Sequence, residues 1–495
     1  MVNEVSMIKD QSKPLANMRI AITSVDLEQS EHRGIAHLSK SLIRSLSTQG
    51  AQVYLLTEFY GRRLSPLMRL FMNDFSVNEV DSADILYQLS DPKSNKKSED
   101  KKLNDESTYL EKGIENIVRF KKKINKRLFL LRPILKYFLK FSVFSAKLIK
   151  LIDLKTSPYW GQDRIDYLQY VDGFLSIPNI YVLSRLNSRR VLLQSPKIDL
   201  RKHNVDFLIT TCPLSLKVKS KLNNSNQILQ FIMDFIPLSF YKHPDHPYAF
   251  YNRLQDSMKS RCCFISKTSR NKICQLLDKE VDKYQSNILY PMPSLNIETL
   301  KLAKNLKDIR GIDYKFILFN SSVVPRKNLH FIIQAFQSSG IASRGFKLCV
   351  AGKIHNDDYA KSIKKLCTND PTIKLLGYVD EIEKSWLFLN AHAFVSPSCV
   401  EGFGIPVLDA YILGLNVLAS NIPSHIEIDN IFTGDGKLQL LELANLNSWI
   451  FSLQEIADNK DLIDISKDER ISNFASSEEH LRKLFDQKLC ELITM

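Results

Sequence analysis

"SPSCVEGFGIPVLDAYILG", residues 396–414, decides how the rest of the chain is read. Pro406 suits the first position of a helix, where a missing N–H costs nothing. Gly402 and Gly404 let the backbone before that helix come close to a ligand. The free N–H groups and positive dipole end of the helix then favour a phosphate or a polarised sugar oxygen. Glu401 stands on the strand side of the turn. Asp409, eight positions on, leans back toward the same helix end. Two acceptors around a nest of donors suit a ligand with both hydroxyls and phosphates, as a nucleotide sugar has. Asp409 has a second reading, as a carboxylate placed near a helix N-terminus for its dipole alone.

Outward from that stretch, "YKFILFN" (314–320), "FKLCVAG" (346–352), "TIKLLG" (372–377), "HAFVSPS" (392–398) and "NVLAS" (416–420) read as short apolar strands. Helical patterns near 327–338, 357–368, 381–390 and 405–414 alternate with them. This is the grammar of a doubly wound α/β domain, with ligands expected at the carboxyl ends of its strands. Near the N-terminus, "MRIAIT" (18–23), a loop with Gly34, a helix over 35–47 and "QVYLLT" (52–57) repeat it as a βαβ unit. The chain of 495 residues calls for two large domains. We expect an N-terminal Rossmann-like domain over 17–290 with an insertion at about 60–160, and a C-terminal one over 308–470. Residues 288–310 form a hinge, and a last helix, 471–495, packs back toward the first domain.

In the loop after the first C-terminal strand, "FNSSVVPRKNLHFIIQAF" (319–336), Arg326 and Lys327 stand at a helix start. Cations do not belong there on dipole grounds, so an anion between them is the simplest explanation. The eight cysteines show no CxxC pair and no metal-ligand spacing; they read as small buried residues of a reducing compartment. No secretory signal and no spanning segment is apparent. That pattern predicts a cytoplasmic protein without metal or other cofactor.

With these residues in view, "PSCVEGFGIPVLDAYILGLNVLASNIPSHIEI" resembles the donor-site signature of the retaining family-4 glycosyltransferases (glycosyl transferases group 1), and "PRKN" resembles their "EPRKN" element. The resemblance implies the GT-B architecture, two doubly wound Rossmann-like domains facing a central cleft. It implies a retaining, metal-independent, hexosyltransferase-like enzyme that takes a nucleotide-sugar donor. Arg326 and Lys327 would hold the departing diphosphate and Glu401 the transferred sugar. Gly402, Phe403, Gly404 and Ile405 would contact sugar and diphosphate, and Asp409 the ribose. The family's second glutamate is Asp409 here, an arginine six residues before the lysine is Ser321, and a histidine in the "HDLIPL" element is Met233. "HRGIAHLSKSL" resembles the family's first loop, in which Gly34 approaches the donor phosphates. "QFIMDFIPLSFY" (230–241) places Asp234 on the acceptor side, with a plain capping role as its other reading. Ser266 in "CFISKTSRNKI" reads as a helix N-cap. The three altered positions leave an alternative, a non-catalytic nucleotide-sugar-binding or assembly protein of the same fold. Nucleotide-sugar epimerases share the architecture but lack these strings.

The formal net charge is +14, and residues 116–152 carry eleven Lys/Arg and no acid. On a helix near 133–152, Arg132, Lys136, Lys140, Lys147 and Lys150 fall on one narrow arc opposite an apolar face. That is the pattern of a helix lying on anionic lipid, with an ordinary packed helix as the plain alternative. The aromatic residues do not interleave with the bases, which argues against nucleic acid. The expected partners are a nucleotide sugar, a lipid-linked or polysaccharide acceptor, and an anionic membrane at the inner face. Residues 91–106 read as a polar, mobile stretch.

Overall fold

The computed structural model describes residues 13–28, 34–58, 89–90, 143–150, 163–177, 180–190, 195–221, 227–239, 246–458 and 466–494. Contacts divide the chain into two units. The first comprises Met1–Met233, His243–Cys263 and Leu489–Met495, the second Asp234–Lys242 and Phe264–Lys488. Residues 288–310 lie inside the second unit and contain a helix, Ile297–Lys304, where the sequence suggests a hinge.

The first unit is built on β1 (Arg19–Thr23), β2 (Gln52–Thr57), β3 (Val143–Ser145), β4 (Lys147–Lys150), β5 (Gly173–Ser176), β6 (Lys197–Asp199), β7 (Phe207–Thr210), β8 (Lys217–Lys219), β9 (Ile228–Ile232) and β10 (Arg261–Phe264). Seven of them form one sheet in the order β10-β9-β7-β1-β2-β5-β4, and β3, β6 and β8 form a small second sheet. Apolar runs such as Ile20–Ile22 pair in parallel with β2 on one side and β7 on the other, which buries them on both faces. Helix Gly34–Thr48 follows β1 and buries Ala36, Leu38, Leu42, Ile43 and Leu46, the helical spacing seen in the sequence.

The basic stretch differs from its sequence reading. Residues 143–150 form β3 and β4 instead of helix, and β4 pairs antiparallel with β5, Leu148 opposite Leu175. Ala146 and Ile149 are buried. Short β-branched and aromatic runs such as "VFS" and "KLIK" carry no signal strong enough to hold a helix against sheet pairing. The helical arc therefore fails over Lys147 and Lys150. Arg132, Lys136 and Lys140, the rest of 116–142 and the linker 91–106 lie outside the described residues.

The second unit holds β11 (Lys315–Asn320), β12 (Phe346–Ala351), β13 (Ile373–Gly377), β14 (Ala393–Ser396), β15 (Asn416–Ser420) and β16 (Lys437–Leu441), in the order β13-β12-β11-β14-β15-β16. All five pairings are parallel. The chain runs outward from β11 to β13, then returns to the other side of β11 as β14. The direction of winding reverses between β11 and β14, where loops at the carboxyl ends leave a crevice. Helices Leu329–Ser339 and Leu446–Asp458 cover one face, joining Ile332, Phe336, Trp449 and Leu453 to the strand residues Ile317, Leu348 and Val395 in one core. The last strand, β16, has no counterpart among the strands read from sequence.

Candidate active site

β11 and β14 are neighbours, Ile317 beside Ala393 and Leu318 beside Phe394. The loops that leave them must therefore meet. The loop after β11 makes one 3-10 turn, Pro325–Lys327. Pro325 presets its first position, and Asn328 ends it at φ 54°, a left-handed conformation that asparagine tolerates better than most residues. The loop after β14 carries Cys399 to Gly404. Its Cys399 N–H donates to the Arg326 carbonyl at 2.8 Å, so the two loops are laced through their backbones.

That lacing brings three predicted site residues together. Arg326 Nη1 donates to Glu401 Oε2 at 2.8 Å and to the Val400 carbonyl at 3.3 Å. Lys327 Nζ donates to Glu401 Oε1. Lys327 and Glu401 are both buried. Burial alone would push the Glu401 carboxyl up, but the charges of Lys327 and Arg326 outweigh it and hold it well below the usual carboxylate range. For Lys327 burial wins, pulling the ammonium down to about 8. Arg326 accounts for the asymmetry, since it attracts the glutamate and repels the lysine.

The glycine turn follows. Gly404 is the N-cap of helix Ile405–Ile412 at φ 116°, and a Cβ there would stand 3.1 Å from Cδ2 of His425. Glycine is thus required twice, for its backbone angle and for its contact. Phe403 is buried in an aromatic group, its ring centroid 5.9 Å from both Tyr290 and Phe432. Gly404, Ile405 and Pro406 are partly exposed. None of the N–H groups of Phe403, Gly404 and Ile405 has an acceptor among the described residues. Such a row of donors beside two cations can hold an anion.

Asp409 makes its hydrogen bonds outside this group. It is fully buried in the helix Ile405–Ile412 and accepts from Ser294 N at 2.6 Å and from the Ser294 hydroxyl. Burial raises its carboxyl to about 6, against the lowering effect of Lys384 and the Ser294 bonds. Asp234 accepts from the Ile236 N–H at 3.1 Å, the geometry of a local cap. Gly34 opens the helix Gly34–Thr48 of the first unit and is exposed. Ser321, at the altered arginine position, donates its N–H to Ala351 at 2.9 Å, and its carbonyl lies so close to Gly352 that a Cβ there would come within 2.0 Å. Met233 is buried at the end of the run Ile228–Ile232. Among the described residues, no group of three or more His, Cys, Asp or Glu is placed to hold a metal ion.

Sequence reasoning missed three supports of the site: Ser294, Ser269 and His425. Ser294 lies 115 residues from Asp409 and no local pattern marks it. Ser266 is an N-cap, as its sequence context predicts, accepting from Ser269 N at 2.9 Å, but its hydroxyl also reaches Gly402. His425 stands within the quoted signature, in "SNIPSHIEI", without a role assigned.

Comparison with known proteins bears on the family of the second unit and on the fold. Residues 304–430 match the family described as Glycosyl transferases group 1, and the chain carries a domain of that family over those residues. Over 115 residues the chain is 33% identical to O-antigen chain mannosyltransferase B of Escherichia coli, a match covering 23% of this chain and 30% of that protein. It is 27% identical over 129 residues to the serotype-specific mannosyltransferase WbdA of Escherichia coli, covering 25% of this chain and 16% of that one. The chain thus spans less than a third of the length of these curated relatives. Among solved structures it resembles sucrose-phosphate synthase from Thermosynechococcus elongatus, with a TM-score of 0.52 at 13% identity, over 96% of this chain and 99% of the other. A glycosyltransferase from Rickettsia africae gives 0.50 at 13% identity, over 96% and 98%. The fold is GT-B, an α/β fold with largely parallel sheets.

Proposed function

We propose that this chain is a retaining glycosyltransferase. It moves a hexosyl group from a nucleotide-sugar donor to a polysaccharide or lipid-linked acceptor at the inner face of a membrane. One observation carries the reading: Arg326, Lys327 and Glu401 converge at the carboxyl ends of adjacent strands where the winding of the sheet reverses. Arg326 and Lys327 receive the diphosphate, helped by the glycine-turn amides, and Glu401 orients the sugar. The bond from the anomeric carbon to the diphosphate oxygen breaks as the acceptor oxygen bonds to the same face. The acceptor's hydroxyl proton leaves with the diphosphate. Positioning and charge stabilisation do the catalytic work, and the two cations serve the diphosphate without a metal. The polysaccharide acceptor is supported by the names of the partial relatives, and a mannosyl donor is the first to try.

The test is a panel of GDP-mannose, UDP-glucose, ADP-glucose and dTDP-glucose with the full chain. A ligand at a hundred times its Kd adds about 2.7 kcal/mol of stability, enough to move a melting curve. One donor should raise the Tm and, with an acceptor glycan, release its nucleoside diphosphate with retained anomeric configuration. No shift with any of the four donors would defeat donor binding. A shift without turnover on lipid-linked or polysaccharide acceptors would favour the non-catalytic reading.

A further inference from the structure

The carbonyl of Gly402 is held from behind by two buried hydroxyls, Ser266 Oγ at 2.6 Å and Ser269 Oγ at 3.0 Å. Both belong to the start of one helix, Lys267–Leu276, Ser266 as its N-cap. That helix start is fixed in turn by Glu427, which accepts from Lys267 N, Thr268 N and the Thr268 hydroxyl at 2.5, 2.8 and 2.7 Å. The Gly402 carbonyl and the Phe403 N–H share one peptide plane and point in opposite directions. A carbonyl pulled toward the serines therefore sends the Phe403 N–H the other way.

A second observation marks the same turn as a ligand position. His425 is fully buried, and its Nδ1 lies 2.9 Å from the Ser420 carbonyl, which places the ring proton on that nitrogen. Its Nε2 has no partner among the described residues, and a Cβ on Gly404 would come 3.3 Å from it. A buried acceptor without a donor is costly, and one pressed against this turn would be relieved by a ligand hydroxyl, which the sugar of a nucleotide sugar supplies.

We propose that Ser266 and Ser269 are positioning residues of the donor site, turning the Phe403 N–H toward the diphosphate by fixing the Gly402 carbonyl. This rests on the donor-site reading above. Neither serine touches the substrate. Their effect passes through one peptide unit, so it acts on the phosphates and leaves the base and ribose alone.

The experiment compares UDP with UMP, and GDP with GMP, by titration calorimetry on the full chain and on Ser269→Ala, Ser269→Thr and Glu427→Gln. Ser269→Ala removes one hydroxyl and spares the cap. It should weaken diphosphate binding about tenfold, the worth of one amide–phosphate contact, while monophosphate binding changes less than twofold. Ser269→Thr keeps the hydroxyl and should restore the preference for the diphosphate. Glu427→Gln loosens the helix start that carries both serines, so it should lower the Tm and lose part of that preference. Equal loss of UMP and UDP in Ser269→Ala, or an unchanged Kd for UDP and GDP, overturns the positioning role. A wild-type chain that binds none of UDP, GDP, ADP and dTDP overturns the donor-site reading itself.

Discussion

The buried Lys327 ammonium donates to the Glu401 carboxylate, and 74 residues of sequence separate the two. Each holds the other's charge in a place water barely reaches. Removing one partner of such a pair exposes the remaining charge to an uncompensated interior, at a cost of about 3–5 kcal/mol. Here Arg326 still faces Glu401 at 2.8 Å, so Lys327→Ala should fall below that range. In urea unfolding, adding Glu401→Gln to Lys327→Ala should recover part of the loss, because the two changes share one interaction. Additive losses would show that the pair is not coupled. Diphosphate binding should stay lost in both.

Glu401→Gln alone should separate binding from transfer. The amide keeps the size and loses the charge, which frees Arg326 and Lys327 for an anion. UDP or GDP should then bind as well as before or better, while turnover falls by about a hundredfold, within the range of a lost electrostatic contact in the transition state. Turnover at the native rate would remove Glu401 from the reaction.

Asp409 makes a different forecast. It is fully buried and bonded to Ser294 N and Oγ. Asp409→Ala strands both groups and should cost about 1–3 kcal/mol. Asp409→Glu forces a methylene into a filled space, at a similar cost. If Asp409 also reaches the ribose, Asp409→Ala raises the KM for the nucleotide sugar at temperatures where the variant is folded. An unchanged KM confines it to holding Ser294.

The acid side of the stability curve should carry the signature of His425. Burial pulls its ring down to about 4, with Glu401 acting in the opposite sense. An unfolded histidine titrates near pH 6.5. Between about 6.5 and 4 the unfolded chain therefore holds a proton that the folded chain lacks, and stability falls as the pH drops. His425→Gln should flatten that slope. Asp409, raised to about 6, works in the reverse direction, its contribution present at low pH and lost as the pH rises through 6. Asp409→Asn should steepen the slope that His425→Gln flattens, in urea midpoints taken from pH 4 to 7.

Cys399 is the one exposed cysteine among the described residues, two positions before Glu401. Burial of its sulfur and the Glu401 charge raise the thiol, so it should react slowly with a maleimide at pH 7 and faster at pH 9. Modification should block donor binding, and UDP or GDP should protect. Cys399→Ser should keep activity and lose the inhibition.

The second unit was legible because its strands are continuous apolar runs with turn residues between them. "FKLCVAG" and "NVLAS" could be read without any partner in view. The convergence of Arg326, Lys327 and Glu401 was legible only through the order of strands, which periodicity does not fix but a signature does. β16 (Lys437–Leu441) escaped because its burial is partial and its alternation poor. The contacts of Ser269, Ser294 and His425 escaped because a single hydroxyl or ring carries no pattern, and what each one touches is settled by the packing of other elements. The basic stretch misled for the opposite reason. A helical wheel can be drawn through any eighteen residues, and charge spacing alone does not say whether the backbone coils.

At the rim of the first sheet, β4 ends what would otherwise be an open parallel edge beside β5. An open edge invites a strand from a neighbouring molecule, and charged residues, lysine above all, discourage it. Lys147 and Lys150 are the first and last residues of that outermost strand. Among the described residues the sheet therefore ends on an antiparallel strand of only 4 residues, too short to offer a neighbouring chain much of an edge.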